Sequence, residues 1–417
     1  AAQDGGTAGV CQLLRQAGRV PRQPRQLQHP PHINLQVVRR AVQRQVVQRG
    51  VAAQQLRRHL QSVLLQHRAL QRGAALQTVR QGGAQQLEAE QFKNTIRYLS
   101  EDNYMETMHQ VVEPYLKEHM TSGYIGGYDG RQLYYEQYLS KQHKAHIAIA
   151  HGYTDGCYKF RESIYYFLQA GYSVSIIDQR GHGYSYRQQE DLSKVTIGDF
   201  DEYVKDYRIF VKDKITPVMK YGEKLYMFAH SMGGCIAALL MEEDPELFDA
   251  AVLIAPMLEI LYGGLPENTA MSITKAATLM GRSEKYILGR GAYDGTYDYE
   301  HSSISSEPRY AYLHDIQLHD RNYQTYGGTY AWLTAAVKAA DKAVKNADRY
   351  STPTLLFQAE LDNTVGASGQ NAFADRASNV RLIQVLGAKH SIQLSENPIL
   401  IPFMDQVMDF YEEHLKN

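Results

Sequence analysis

Ahead of Phe92 the chain contains no lysine, phenylalanine, tyrosine, tryptophan or methionine. A stretch of that length without aromatic residues has little with which to build a core, and Pro21, Pro24, Pro30 and Pro31 interrupt any helix early in it. It is short of acids as well. Residues 1–90 carry thirteen Arg against Asp4, Glu88 and Glu90, a balance of +10 that the formal charge of −1 for all 417 residues conceals. The remainder therefore carries −11. Residues 1–90 are expected to be a low-complexity Arg/Gln-rich extension, disordered or loosely helical. An arginine-rich, acid-poor segment can neutralise nucleic-acid phosphates. We rank that below a simpler expectation. The abrupt change of composition, with no initiator Met, marks an extension foreign to a domain that begins near Met105. Nucleic acid is not expected as a partner.

Cysteine is scarce too. Cys11, Cys157 and Cys235 are too few and too scattered for a disulfide framework or a zinc site, so no metal or cofactor is expected. The longest apolar run, near 250–261, is broken by Pro256 and Glu259 and is too short to span a bilayer. No block near the start has the charged head and apolar middle of a secretory signal. These absences point to a soluble cytoplasmic protein, with peripheral contact to membrane lipid left open and oligomeric state unread.

What is present is organised around LYMFAHSMGGCIAALL, residues 225–240. An apolar run ends at Ala229 and His230, Ser231 follows, and then come Met232, Gly233, Gly234 and a small-residue helical pattern. Strand, sharp turn and helix in this order push the serine side chain up and out, the geometry of a nucleophile elbow. The usual pattern is G-x-S-x-G; here Ala229 stands at the first position. A plain strand-to-helix loop with a capping serine would read the same way if nothing else matched.

The rest of the chain alternates strands and helices. Gln91 to Met120 suggests amphipathic helices, and Asp129-Gly130 is a two-residue hairpin signal. HIAIA and YSVSIID read as buried strands, 197–219 as a long helix, and DAAVLIAP as the strand after the elbow helix. After Pro256 the rhythm stops for roughly ninety residues, taken as an inserted cap over about 257–350. It resumes with PTLLFQAELD, a helix around 367–377, VRLIQVLG and a closing helix from Pro398 to Leu415. The expectation is an α/β fold over 91–417, a doubly wound, mostly parallel sheet with an inserted cap, whose active residues collect at the carboxyl ends of strands.

A serine hydroxyl needs a base, and the base needs a group that holds its tautomer. Asp362 follows the strand TLLFQAEL and His390 follows RLIQVLG, so the order Ser231, Asp362, His390 is available. Glu360 and Glu259 compete for the acid. His301, His314 and His319 lie in the cap without the strand-then-loop context, and His230 faces away from Ser231 by strand alternation. Donors for an oxyanion are expected from the backbone N–H of Met232, at the start of the elbow helix, and of Tyr153, after His151-Gly152. The glycine-containing stretch 178–185 reads as a loop bracing the site.

HGYTDG, DQRGHGYS, AHSMGG, QAELDNTV and GAKHSI, in this order, resemble the serine hydrolases of the monoacylglycerol lipase and bacterial lysophospholipase group, also labelled serine aminopeptidase-like. The likeness runs from about Tyr124 to the C-terminus, and TYAWL around Trp332 resembles the end of the lysophospholipase cap. It implies an α/β-hydrolase fold with Ser231 as nucleophile, Asp362 as acid, His390 as base, and Tyr153 and Met232 as oxyanion donors. The implied activity is metal-free hydrolysis of a carboxylic ester, a lysophospholipid or a monoacylglycerol, through an acyl-enzyme. The same triad also serves peptidases and carbon-carbon hydrolases, and a hydrolase-fold binding protein would keep it silent. A dehalogenase or epoxide hydrolase would need Asp at position 231.

Overall fold

The structure is a computed structural model and describes residues 96–415. The chain divides into two units, Ala1–Lys93 and Asn94–Asn417. The expectations for residues 1–90 lie outside the described residues.

Five strands are buried at every position: β3 (His146–Ala150), β4 (Ser173–Ile177), β6 (Leu225–His230), β7 (Ala250–Ile254) and β9 (Thr354–Ala359). Continuous burial is what a strand covered on both faces requires. They form the middle of an eight-stranded sheet of order β1-β2-β4-β3-β6-β7-β9-β10, with β1 (Met120–Gly126), β2 (Gln132–Tyr138) and β10 (Val380–Val385) completing it. β2 pairs antiparallel with β1 and β4, and the other pairings are parallel. Strand alternation divides the core. Ala148, Met227, Ala229, Ala251 and Leu253 face one layer, and Ile147, Ile149, Phe228, Val252 and Ile254 face the other.

The first layer holds α3 (Asp201–Phe210), α4 (Met232–Glu243), α7 (Tyr330–Asn346) and α8 (Ala367–Arg376). The second holds α1 (Glu113–His119), α2 (Arg161–Gln169) and α9 (Asn397–Leu415). This is the doubly wound α/β-hydrolase arrangement. Two details differ from the sequence reading. The hairpin between β1 and β2 is not a two-residue turn: Gly130 N–H donates to Gly127 O at 2.9 Å, Gly127 N–H to Arg131 O at 2.8 Å, and Gly130 alone takes a positive φ, +80°. One left-handed residue builds a right-handed turn closed by a bulge. The long helix foreseen over 197–219 is α only as far as Phe210 and continues as a π-turn, Val211–Ile215, and a 3-10 turn, Thr216–Val218, which contains Pro217.

The insert between β7 and β9 is not uniformly a cover. α7 presents buried Ala335, Ala336, Ala339, Ala340 and Ala343, small residues that let it lie close in the body's helical layer with α4. α6 (Glu307–His319) is fastened to α2 by Arg309, whose side chain has no solvent exposure and whose Nε and Nη2 donate to the Glu162 carboxylate at 2.8 and 2.7 Å. The segment carrying α5 (Glu267–Leu279) is the exposed part. A two-strand parallel sheet, β5 (Lys194–Val195) with β8 (Gly327–Gly328), ties the insert to the loop after β4. Among the described residues no helix is long and apolar enough to cross a membrane.

Candidate active site

Ser231 sits between β6 and α4 with φ +52° and ψ −115°. A non-glycine residue held there costs about 1–3 kcal/mol and persists only when its surroundings over-determine it. They do. Its N–H donates to Ile254 O at 3.0 Å, and its carbonyl accepts from Gly234 N at 2.9 Å, Cys235 N at 3.2 Å and Met257 N at 2.9 Å. Any side chain at Gly233 would run into the backbone carbonyl of Ala150, and one at Gly234 would come within 2.6 Å of Pro256 Cβ. Ala229, by contrast, is fully buried in β6 and its methyl is accommodated there.

The Ser231 Oγ lies 2.8 Å from His390 Nε2, and His390 Nδ1 lies 2.7 Å from Asp362 Oδ2. A carboxylate only accepts, so Nδ1 carries the proton and Nε2 offers its lone pair to the serine hydroxyl. The other Asp362 oxygen accepts from Thr364 N at 2.8 Å and Val365 N at 3.0 Å. Burial alone would raise the Asp362 carboxyl, but its bonds to His390 and these two amides outweigh it and hold the group below its usual range. β9 ends at Ala359, so Asp362 belongs to the turn beyond the strand.

The competing acids and bases are engaged elsewhere. Glu360, foreseen inside the strand, lies past its end and accepts from Gly387 N at 2.8 Å. Glu259 accepts from Gly369 N at 2.7 Å and from the Ser368 hydroxyl. His301 pairs with Asp298 at 2.7 Å, while His314 and His319 bond the carbonyls of Gly295 and Asp315.

Met232 opens α4, where the first amides have no acceptor within the helix. Tyr153 lies in a turn whose ends are bonded to each other: Asp155 N–H donates to Gly152 O at 3.3 Å and Gly152 N–H to Asp155 Oδ2 at 3.1 Å. Neither bond uses the Tyr153 N–H. The loop after β4 braces this side, since Asp178 accepts from Cys157 N at 2.7 Å and Tyr184 N at 2.9 Å.

Sequence reasoning passed over Asp155 and Lys159. The Asp155 carboxylate, besides the Gly152 amide, takes Lys159 Nζ at 2.6 Å and His230 Nδ1 at 3.1 Å. Burial would raise it, but Lys159 and His230 more than reverse that and hold it well below the carboxylate range. The signal was the i, i+4 spacing of an acid and a lysine at a helix entry. Among the described residues no three His, Cys, Asp or Glu side chains are grouped to hold a metal ion.

Comparison with known proteins agrees with this architecture. Lysophospholipase L2 of Escherichia coli K12 is 27% identical over 296 residues, covering 69% of this chain and 86% of that protein. A monoglyceride lipase homolog of Monkeypox virus is 27% identical over 266 residues, 63% of this chain and 88% of its own length. Among solved structures, a soluble variant of monoglyceride lipase from Saccharomyces cerevisiae in complex with a substrate analog superposes with a TM-score of 0.57 at 16% identity, covering 70% of this chain and 94% of that one. Paleococcus ferrophilus monoacylglycerol lipase gives 0.53 at 18%, covering 68% and 99%. The class so defined is an ester-hydrolysing enzyme of the α/β-hydrolase fold. The chain belongs to the family described as serine aminopeptidase, S33, whose model matches residues 141–397.

Proposed function

We propose that this chain cleaves the carboxylic ester of a monoacyl lipid, a lysophospholipid or a monoacylglycerol, through an acyl-enzyme on Ser231. The observation that carries the reading is the chain of contacts from Ser231 Oγ to His390 Nε2, 2.8 Å, and from His390 Nδ1 to Asp362, 2.7 Å. In this mechanism His390 Nε2 takes the hydroxyl proton as Oγ bonds to the ester carbonyl carbon. The Met232 and Tyr153 amides receive the oxyanion. The intermediate collapses by breaking the bond to the alcohol oxygen, which leaves with the proton from His390. Water then repeats the sequence on the acyl-serine and releases the acid.

The substrate class is supported by the lysophospholipase and monoglyceride lipase relatives and by the surface of the insert. Leu279, Met280 and Leu288, at and beyond the end of α5 in the exposed part of the insert, are 89%, 62% and 72% exposed, apolar side chains suited to contact with a lipid aggregate. A p-nitrophenyl ester series tests the reading. If an acyl chain is buried, kcat/KM rises about fourfold per methylene, the equivalent of about 0.8 kcal/mol, until the pocket fills. A flat response from two to twelve carbons, or turnover of aminoacyl anilides in preference to esters, would point to a small-ester or peptide substrate.

A further inference from the structure

We infer that Trp332, in the insert, is a positioning residue for the oxyanion donor: its indole holds the Tyr153 ring, and through it the direction of the Tyr153 backbone N–H. The inference rests on the reading of that N–H as an oxyanion donor.

The turn carrying Tyr153 is pinned at both ends, by the bond from Asp155 N–H to Gly152 O and by the bond from Gly152 N–H to the Asp155 carboxylate. Between them Thr154 takes the left-handed corner, φ +59°. What stays adjustable is the rotation of the Tyr153 unit itself. Cα carries both Cβ and the bond to the amide nitrogen, so a ring that cannot move restrains rotation about N–Cα, and with it where the N–H in its planar peptide points. The ring is held on two sides. Its plane lies on the Trp332 indole, centroids 4.1 Å apart and planes 31° from parallel. Its phenol oxygen meets Gly328, where an added Cβ would come within 2.6 Å of it. Burial pushes the phenol pKa up, so the ring stays neutral there.

The support behind the ring is rigid. Trp332 N–H donates to the Thr329 hydroxyl at 3.1 Å, capping α7, and α7 is part of the body's core. Thr329 N–H donates to Val195 O at 2.9 Å and the Thr329 hydroxyl to that of Thr196 at 3.0 Å, so Gly328 and Trp332 are both anchored through β5. A loop that must aim an amide at a charge lasting only as long as the transition state gains from such support, because stabilisation of this kind depends on donors already in place. Removing one donor outright costs about 10²–10³ in kcat. Letting it drift costs less.

The test measures kcat and KM on a p-nitrophenyl ester for Tyr153→Ala, Trp332→Ala and the double variant, together with affinity for a trifluoromethyl ketone, whose serine adduct places an oxyanion on the same donors. The expected result is a kcat loss of about 10–100-fold in each single variant with KM changed less than about threefold, a double variant no worse than the worse single, and weaker ketone inhibition in proportion. Trp332→Phe, which keeps a flat ring, recovers most of the loss. Gly328→Ala, which crowds the phenol without emptying the core, reproduces the loss and decides the matter if Trp332→Ala does not fold. Trp332 is the chain's one tryptophan, so its emission changes when the ketone adduct forms, and Tyr153→Ala removes that response. A Trp332→Ala protein that melts lower yet keeps its kcat and ketone affinity, or losses that simply multiply in the double variant, would overturn the inference and leave the stack as packing. Ester turnover surviving in Ser231→Ala would instead overturn the underlying reading of the site.

Discussion

The imidazole of His230 packs against that of His390, ring centres 4.9 Å apart, with its Nε2 3.4 Å from the His390 backbone carbonyl and its Nδ1 3.1 Å from Asp155. His230, which precedes Ser231, thus touches His390 directly and is itself held by the buried Asp155 carboxylate. Asp155 also holds Lys159, whose Nζ lies 3.4 Å from the Ser391 hydroxyl. Asp155→Asn would leave that buried ammonium without its counter-charge, a loss of about 3–5 kcal/mol. The urea midpoint is expected to fall accordingly, with kcat falling as the loops around Ser231 loosen. A variant as stable as the parent would show the carboxylate to be dispensable.

Arg309 offers a second stability test away from the serine. It donates to Glu162, to the Ser306 hydroxyl at 3.2 Å and to Asn397 Oδ1 at 2.8 Å, with Glu101 3.2 Å from Nη1. Arg309→Leu strands the Glu162 carboxylate in the core and should cost about 3–5 kcal/mol. Adding Glu162→Leu removes the stranded charge, so the double variant is expected to recover part of the loss. Chemical denaturation of the three proteins measures this, and a double variant at the sum of the singles would contradict it.

Several buried histidines make the fold sensitive to acid. Burial pushes His146 down to about 3 and His230 down to about 4, so both stay neutral in the fold while the unfolded chain protonates them near 6.5. Below 6.5 the unfolded state binds more protons, and stability falls as pH falls through 6.5 toward 4. The slope is about 1.4 kcal/mol per pH unit for each group, or about 2 kcal/mol each at pH 5 as an upper bound. Asp362 and Asp155, both held below their usual range, add losses of the same sign below about pH 4. Melting temperatures at pH 7.5, 6 and 5 at constant ionic strength should descend, and His146→Gln should flatten the curve.

Glu242 has the opposite sign. Burial pushes it up to about 8 against the partial relief of Lys342 and Arg349, and its Oε1 is a buried oxygen with no hydrogen-bond partner. The fold keeps it protonated at pH 7 while the unfolded chain ionises it, so its stability contribution is lost as pH rises from about 4.5 through 8. Glu242→Gln is expected to stabilise the protein at pH 8 by about 1 kcal/mol or more and to give no gain at pH 4. Equal effects at both pH values would contradict this origin.

The fold was largely legible because its strands are short apolar runs and its elbow has a steric signature: Gly233 and Gly234 are where a side chain would strike Ala150 and Pro256. Strand-then-loop order and the Ser, Asp, His sequence offered Asp362 and His390 while leaving Glu360 and Glu259 as rivals, and it is the fold that brings Asp362 to His390 and His390 to Ser231. The β1–β2 turn was misjudged because Asp129-Gly130 suits both a two-residue turn and a bulged one, and only the pairing of Gly126 with Gln132 decides. The division of the insert was hidden because tertiary packing, Arg309 on Glu162 and the alanine face of α7 on the body, places α6 and α7. The Asp155 hub was missed because its partners, His230 and Gly152, are 75 and 3 residues away and meet only in the fold.

The central claim is that Ser231 carries the acyl group. Its most direct test is rapid-quench mass spectrometry of the enzyme turning over a slowly deacylated ester, with peptide mapping and a parallel assay of Ser231→Ala. The account predicts one acyl adduct on the peptide containing Ser231 and a loss of about 10³-fold or more in kcat for the variant. An adduct elsewhere, or ester hydrolysis by Ser231→Ala at the parent's rate, would contradict it.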